Sequence, residues 1–174
     1  DALTRRANII CLTTGGKIAG LAARHNCPLI KLPEGLQPRA ALGYSFVPLM
    51  HLLMKAELLA VKDDIVKLIV EGLKRYRLQF GREVPLAINP AKSLALNLFN
   101  KIPLIYTGPE LTAAVGLRWK QQLCENSKVP SFYNHFAEFN HNELVGLESG
   151  PAPLLGNFGI VILRDSDDHP RIVR

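Results

Sequence analysis

Residues 8–16, Asn-Ile-Ile-Cys-Leu-Thr-Thr-Gly-Gly, indicate which class of fold the chain adopts. The apolar run at 8–12 is typical of a buried parallel strand, and the Thr-Gly turn leads into a predicted helix over about residues 17–25. A second short strand is predicted at residues 29–32. Strand, turn, helix and strand form a β-α-β unit, so the sequence predicts an α/β fold.

The turn of this unit places Thr14 and Gly15 at a predicted helix N-terminus, where backbone amides can hold an anion. Its sequence is neither GxGxxG nor a P-loop, so it does not indicate a nucleotide. A tight turn with a threonine cap is the structural alternative, and the turn residues alone favour that alternative.

A second set of elements with a similar plan follows later in the chain, with no visible sequence repeat. Strands are predicted at residues 102–106, 129–132 and 158–163, and a helix at 111–126. Helices are also predicted at 46–61, which we expect to be well buried, at 63–78, with Asp63 or Asp64 as its cap, and at 91–100, opened by Pro90. We expect three parts: residues 1–61 and 89–174, each part of one α/β domain, and a linking helix over 62–88.

Composition excludes several classes of protein. The chain has 174 residues, of which 48% are hydrophobic and 21% charged, so it can bury a core and is not disordered. The net charge of +6 comes from basic residues scattered along the chain, which argues against nucleic acid as a partner. No apolar run is long enough to span a membrane. Three widely spaced cysteines without a CxxC pair favour the reducing cytoplasm.

Four polar residues stand side by side at Asn140-His141-Asn142-Glu143, directly before Leu144. One carboxylate among amides and an imidazole, next to apolar residues, is how a general base is built. The alternative is an Asn-capped helix that carries a solvated glutamate. The four residues alone favour these two interpretations equally.

A loop rich in proline and glycine, residues 33–45, contains Arg39 between Pro38 and two alanines. Small neighbours let a guanidinium approach a ligand closely. They equally allow an arginine that ties the loop down through carbonyl groups, and both interpretations stay open on the residues alone.

Three stretches together resemble a known family. They are residues 38–45 (Pro-Arg-Ala-Ala-Leu-Gly-Tyr-Ser), 140–146 (Asn-His-Asn-Glu-Leu-Val-Gly) and 163–171, which contains Arg164-Asp165 and Asp168-His169-Pro170-Arg171. The chain is similar, over residues 8–174, to the bifunctional phosphoglucose/phosphomannose isomerases, which are built from two sugar-isomerase (SIS) domains. The resemblance implies a flavodoxin-like three-layer αβα sandwich of SIS type, with two SIS domains each partly represented. It also implies a cytoplasmic homodimer with shared active sites.

The same resemblance implies a reaction, the interconversion of glucose 6-phosphate and mannose 6-phosphate with fructose 6-phosphate. Glu143 matches the catalytic base, His169 the ring-opening histidine supplied by the partner subunit, and Arg39 an active-site arginine. We assign Asn140 and His141, together with Thr14 and Gly15, to substrate binding. Family members are longer, so we expect a fragment that lacks the N-terminal phosphate-binding loop and a C-terminal helix with a catalytic lysine.

Two other function classes stay open. A non-catalytic SIS module would bind a sugar phosphate and regulate a partner, but it should lack the base and the histidine. A metal-dependent isomerase would lose activity on chelation. We expect no cofactor and no metal, because the spacing of His135, Glu138 and His141 matches no recognised metal motif. The sequence does not separate glucose from mannose preference.

Overall fold

A computed structural model of the chain describes residues 1–62 and 64–174, which divide into two units, Asp1–Lys74 and Arg75–Arg174. The cap predicted at Asp63 lies outside the described residues. The domain boundaries expected from the sequence, at residues 61 and 89, stay predictions.

Unit 1 contains the predicted β-α-β unit. Strands β1 and β2 pair in parallel, with Cys11 opposite Leu29 and Thr13 opposite Lys31. β1 is half-buried, whereas the sequence predicts a buried strand, and it begins three residues later than predicted. The elements are β1 (Cys11–Thr13), α1 (Gly16–Arg24), β2 (Leu29–Lys31), a 3-10 turn (Pro38–Ala40) and α2 (Leu42–Lys55).

Helix α2 begins four residues before the predicted start and ends six residues before the predicted end. It ends because Glu57 adopts a left-handed conformation with φ 58°, and the Leu58 N–H donates to the Leu53 carbonyl. The prediction that this helix is well buried is wrong for the described residues, where Met50 alone is buried. The exposed apolar residues of α2 are Leu42, Tyr44, Phe46 and Leu49.

Helix α3 (Ile65–Phe80) spans the division between the two units. It starts directly after Asp64, the second predicted cap, and ends before the turn at Gly81. Among the helices of residues 1–62 and 64–174, not one is both long and apolar enough to cross a bilayer.

Unit 2 carries the larger sheet. Helix α4 begins as predicted with Pro90 in its first turn, and the Asn89 side chain accepts a hydrogen bond from the Lys92 N–H at 3.1 Å. The elements are a 3-10 turn (Leu86–Ile88), α4 (Pro90–Asn97), β3 (Ile102–Thr107), α5 (Leu111–Gln122), a π-helical turn (Leu123–Ser127), β4 (Phe132–His135), α6 (Phe136–Asn142), α7 (Leu144–Ser149), α8 (Ala152–Leu155), β5 (Phe158–Leu163) and α9 (Pro170–Val173).

The sheet of unit 2 has the order β4-β3-β5, and both pairings are parallel. The central strand β3 is buried from Pro103 to Thr107, because helices cover both of its faces. Phe139 of α6 packs on Leu104 and Tyr106, which point to one face. α5 lies on the opposite face. This layering confirms the predicted α/β sandwich.

The approach of α5 to the sheet depends on Gly116. A Cβ atom at this position would stand 2.8 Å from Cε2 of Tyr133 and would also collide with the methyl group of Thr107. Only glycine therefore fits where the helix crosses these two strands.

Three elements of unit 2 differ from the sequence prediction by more than one residue: α4, which ends at Asn97 in place of residue 100, α5 and β4. α5 ends at Gln122 in place of residue 126, because the chain turns through Leu123–Ser127 to Lys128, which has φ 58°. β4 consequently lies at Phe132–His135, three residues beyond the predicted start. This shift places Asn134 and His135 inside the strand.

Candidate active site

A cavity of about 320 Å³ lies at the carboxyl ends of β3 and β5. The chain leaves β3 towards β4 on one side of the sheet, then crosses to β5 on the other side, so the strand order reverses at this point. Open α/β sheets bind ligands at such a reversal. The cavity is lined by Pro109, Glu110, Leu111, Asp165, Asp167, Asp168, His169, Pro170 and Ile172.

Asp168 anchors the loop that follows β5. Its carboxylate accepts hydrogen bonds from Nε of Arg164 at 2.7 Å and from the Asp165 N–H at 3.1 Å, and its side chain is 6% exposed. The bond from Arg164, and then the bond from Asp165, hold the pKa of Asp168 below its ordinary value. A Cβ atom on Gly108 would stand 2.8 Å from Oδ1 of Asp168, so the two loops approach each other closely at a glycine.

His169 follows Asp168 and begins α9. Its Nδ1 accepts a hydrogen bond from the Arg171 N–H at 3.2 Å, which places the proton of the neutral ring on Nε2. The residue is exposed and lines the cavity. A histidine with a defined tautomer at the mouth of a cavity can exchange a proton with a bound ligand.

Glu143 lies at the junction of α6 and α7 and is half-buried. Its Oε2 accepts a hydrogen bond from the Tyr106 hydroxyl at 2.7 Å, and its Oε1 accepts one from Nδ2 of Asn134 at 2.6 Å. The solvated glutamate that the sequence left open is therefore not what the structure contains. Both oxygens of this carboxylate have a donor, which fixes its direction.

The two donors are themselves held in place. Tyr106 is 2% exposed and its ring lies 4.2 Å from that of Phe139, centroid to centroid. Burial, and then the hydrogen bond to Glu143, raise the pKa of the Tyr106 hydroxyl well above its ordinary value. Tyr106 therefore remains protonated, and remains a donor, over the whole range in which an enzyme works.

Asn140 and His141 lie in the last turn of α6 and are exposed. Within residues 1–62 and 64–174 neither side chain has a hydrogen-bond partner, whereas the nearby Glu143 has two. Their assignment to substrate binding stays a prediction. Of the two predicted catalytic residues of unit 2, His169 lines the cavity described above. Glu143 is not among the described residues that line it.

The other predicted site residues belong to unit 1. Arg39 is half-buried in the 3-10 turn Pro38–Ala40. In the turn after β1 it is Thr13 that makes the local bonds: its hydroxyl donates to the Gly15 carbonyl at 3.0 Å and accepts from the Gly15 N–H at 3.2 Å. Thr14 is exposed, and Gly16 has the left-handed φ of 66°.

No metal cluster is formed by the part of the chain that the structure describes, where no group of three or more His, Cys, Asp or Glu side chains is placed to hold an ion. The chemistry that these residues offer is proton transfer. Glu143 is an oriented carboxylate, and His169 is an imidazole whose Nδ1 accepts a hydrogen bond from the Arg171 N–H.

Tyr106 and Asn134 are not among the site residues predicted from the sequence. Tyr106 falls in the predicted strand 102–106, and Asn134 lies two residues beyond the predicted strand 129–132. The signal that could have found them is the position of polar groups near the carboxyl ends of two neighbouring parallel strands.

A family model described as the bacterial phospho-glucose isomerase C-terminal SIS domain matches residues 87–174, about half of the chain. This range includes Glu143 and His169 and excludes Arg39. The match covers the sheet of unit 2 and the cavity at its carboxyl edge.

The chain is also similar to proteins named bifunctional phosphoglucose/phosphomannose isomerase. It is 48% identical over 171 residues to the protein of Caldicellulosiruptor bescii, covering 98% of this chain and 50% of that one. It is 33% identical over 174 residues to the protein of Aquifex aeolicus, covering 99% and 49%. The chain thus spans about half the length of the curated relatives it matches.

A solved structure has the same fold. A glucose-6-phosphate isomerase like protein from Thermus thermophilus superposes with a TM-score of 0.55 and 20% identity, covering 90% of this chain and 55% of that chain. At this identity the likeness concerns the fold alone, and it agrees with the α/β sandwich described above.

Proposed function

Because the chain belongs to the family of the bacterial phosphoglucose isomerase C-terminal SIS domain, we propose that the complete protein is an aldose–ketose isomerase. Its substrates are glucose 6-phosphate and mannose 6-phosphate, each interconverted with fructose 6-phosphate. The relatives that carry this name over the length of the chain support the choice of substrate.

The Glu143 carboxylate is the observation that carries the proposal. Isomerisation needs one base that removes a proton from C2 of the open-chain sugar and returns it to C1 through an enediolate. A half-buried carboxylate with both oxygens held by Tyr106 and Asn134 suits this task. It can face two neighbouring carbons in turn without reorienting.

The remaining roles complete the reaction. His169 moves a proton between the ring oxygen and the C1 hydroxyl to open the sugar. Arg39 stabilises the negative charge of the enediolate. Asn140 and His141, with Thr14 and Gly15, bind the substrate. Arg39→Lys, which keeps the charge and loses the planar fork, tests the arginine role in the assay described below.

The setting of the proposed enzyme is the cytoplasm, where it would serve glycolysis and gluconeogenesis as a homodimer with shared sites. Cys11, Cys27 and Cys124, all within the described residues, are free thiols, as is usual in a reducing compartment. The dimer rests on the family resemblance alone.

The test is Glu143→Gln in the complete protein, which keeps the shape of the side chain and removes the base. Turnover of glucose 6-phosphate should fall by roughly 10²–10⁴-fold. Deuterium uptake from D₂O at C2 of the sugar should fall with it, because that exchange reports the proton transfer directly.

Glu138→Gln is the matched control, since Glu138 lies on α6, the helix directly before Glu143, is exposed and accepts a hydrogen bond from Asn142. It should leave turnover unchanged. Normal turnover by a folded Glu143→Gln variant would contradict the proposal. If the wild-type protein binds the sugar phosphate and catalyses no exchange at all, the regulatory SIS module is the better assignment.

A further inference from the structure

Tyr106 and Asn134 stand directly opposite each other in the sheet. β3 and β4 are parallel and pair these two residues in register, so their side chains leave the same face about 4.8 Å apart. Glu143 lies over that face and receives one hydrogen bond from each. We propose that Tyr106 and Asn134 are positioning residues that hold the Glu143 carboxylate by both oxygens, an inference that rests on the proposed function of Glu143.

Each donor is fixed by a contact of its own. The amide oxygen of Asn134 accepts a hydrogen bond from the His135 N–H at 2.9 Å, so the NH₂ group must face Glu143. The Tyr106 ring is buried against Phe139, which in turn meets Phe136 edge to face at 5.9 Å between centroids. Neither donor can swing away without breaking a second contact.

The two hydrogen bonds to Glu143 are needed because the backbone at this residue does not define where its side chain points. The residue lies between two short helices, as the C-cap of α6 and the N-cap of α7, and a glutamate has three rotatable side-chain bonds. Two bonds from a rigid sheet remove that freedom. Each carboxylate oxygen keeps a further lone pair, which is thereby aimed at a defined place where a substrate proton can be taken up.

The same hydrogen bonds could serve only to stabilise the fold. The test must therefore separate a stabilising role from the positioning of the Glu143 carboxylate. Tyr106→Phe removes one oxygen and keeps the ring and its packing. We expect kcat for glucose 6-phosphate to fall by about 10–100-fold, the loss typical of a misplaced catalytic group, with little change in KM.

Tyr133→Phe is the matched control. It removes the same oxygen from the neighbouring strand, where the Tyr133 hydroxyl lies 3.3 Å from Oγ1 of Thr107 and does not contact Glu143. Its kcat and KM should equal those of the wild type. Asn134→Ala is the second variant, and it should show the same fall in kcat even if Tyr106→Phe does not fold.

The decisive measurement combines Tyr106→Phe with Glu143→Gln. If Tyr106 acts through Glu143, the double variant should be no slower than Glu143→Gln alone. Additive losses would overturn the positioning role, as would an unchanged kcat in Tyr106→Phe. So would a lower melting temperature with normal activity per folded molecule. The proposed function fails separately, if Glu143→Gln itself remains active or if the wild-type protein catalyses no exchange.

Discussion

At the scale of single residues, the Asp168 carboxylate determines where His169 stands. It joins Arg164 at the end of β5 to the Asp165 backbone, and it approaches Gly108 in the loop after β3. Because Asp168 precedes His169 directly, the path of the loop fixes the origin of the imidazole. The anchor is ionic, so it should depend on pH.

Asp168→Asn should lower the melting temperature at neutral pH, and the difference from wild type should vanish in acid. The folded-state pKa of Asp168 lies below its ordinary value, so the stability it contributes is fully present above the unfolded-state pKa of about 4. That contribution disappears as the pH falls through the lower, folded-state value. Thermal melts of both proteins from neutral pH to below about pH 3 measure the gap.

Asp167→Asn serves as the control, because the Asp167 side chain is exposed and, among the described residues, it is the backbone N–H of Asp167 that is bonded, to Asp165. We expect this variant to melt with the wild type at every pH. A gap for Asp168→Asn that keeps its size in acid would mean that shape, and not charge, holds the loop.

At the scale of elements, the contact of α5 with the sheet depends on the missing side chain at Gly116. Alanine there gains about 1 kcal/mol in helix propensity, but overpacking costs about 1–3 kcal/mol and can cost more. The added Cβ atom would meet Thr107 and Tyr133, which lie on two different strands and cannot both move away. Gly116→Ala should therefore lower the free energy of unfolding by about 1–2 kcal/mol, measured by urea denaturation.

Gly20→Ala in α1 is the matched control, since it is an exposed helical glycine with no described atom within 4 Å of the new Cβ. It should stabilise the protein by up to about 1 kcal/mol. Equal effects of the two substitutions would show that the sheet under α5 yields more easily than its burial suggests.

The strands of unit 2 show which elements could be predicted from the sequence. β3 and β5 were predicted to within one residue, because a strand that lies within a parallel sheet is a continuous apolar run. β4 was placed three residues too early, because its carboxyl end is polar, with Asn134 and His135. An apolar pattern cannot include residues that belong to a strand through pairing alone.

The same limit applies to the candidate site. Glu143 could be singled out from the sequence because its polar neighbours are adjacent in the chain. Tyr106 is 37 residues away in the chain, so no local pattern indicates its hydrogen bond to Glu143. The register of β3 and β4 places Tyr106 beside Asn134, the second donor to Glu143. Contacts made across a sheet depend on pairing, which no local pattern encodes.

At the scale of the whole molecule, the predicted site residues fall into separate groups. Arg39, Thr14 and Gly15 lie in unit 1, whereas Glu143 and His169 lie in unit 2. Within the described part of unit 2, Glu143 is bonded to residues of β3 and β4, whereas His169 lines the cavity beside β5. The family resemblance explains this by assigning His169 to the site of the partner subunit.

Mixing two inactive variants of the complete protein tests that assignment. Glu143→Gln and His169→Ala should each be nearly inactive as homodimers. After subunit exchange at equal amounts, half of the dimers are mixed, and each mixed dimer has one site with both residues intact if the subunits share their sites. Turnover should then recover to about a quarter of the wild-type value.

If each site instead uses Glu143 and His169 of the same chain, every site in every dimer carries one substitution and nothing is recovered. Demonstrated mixed dimers without recovered turnover would therefore place both residues in one subunit, or remove His169 from the reaction.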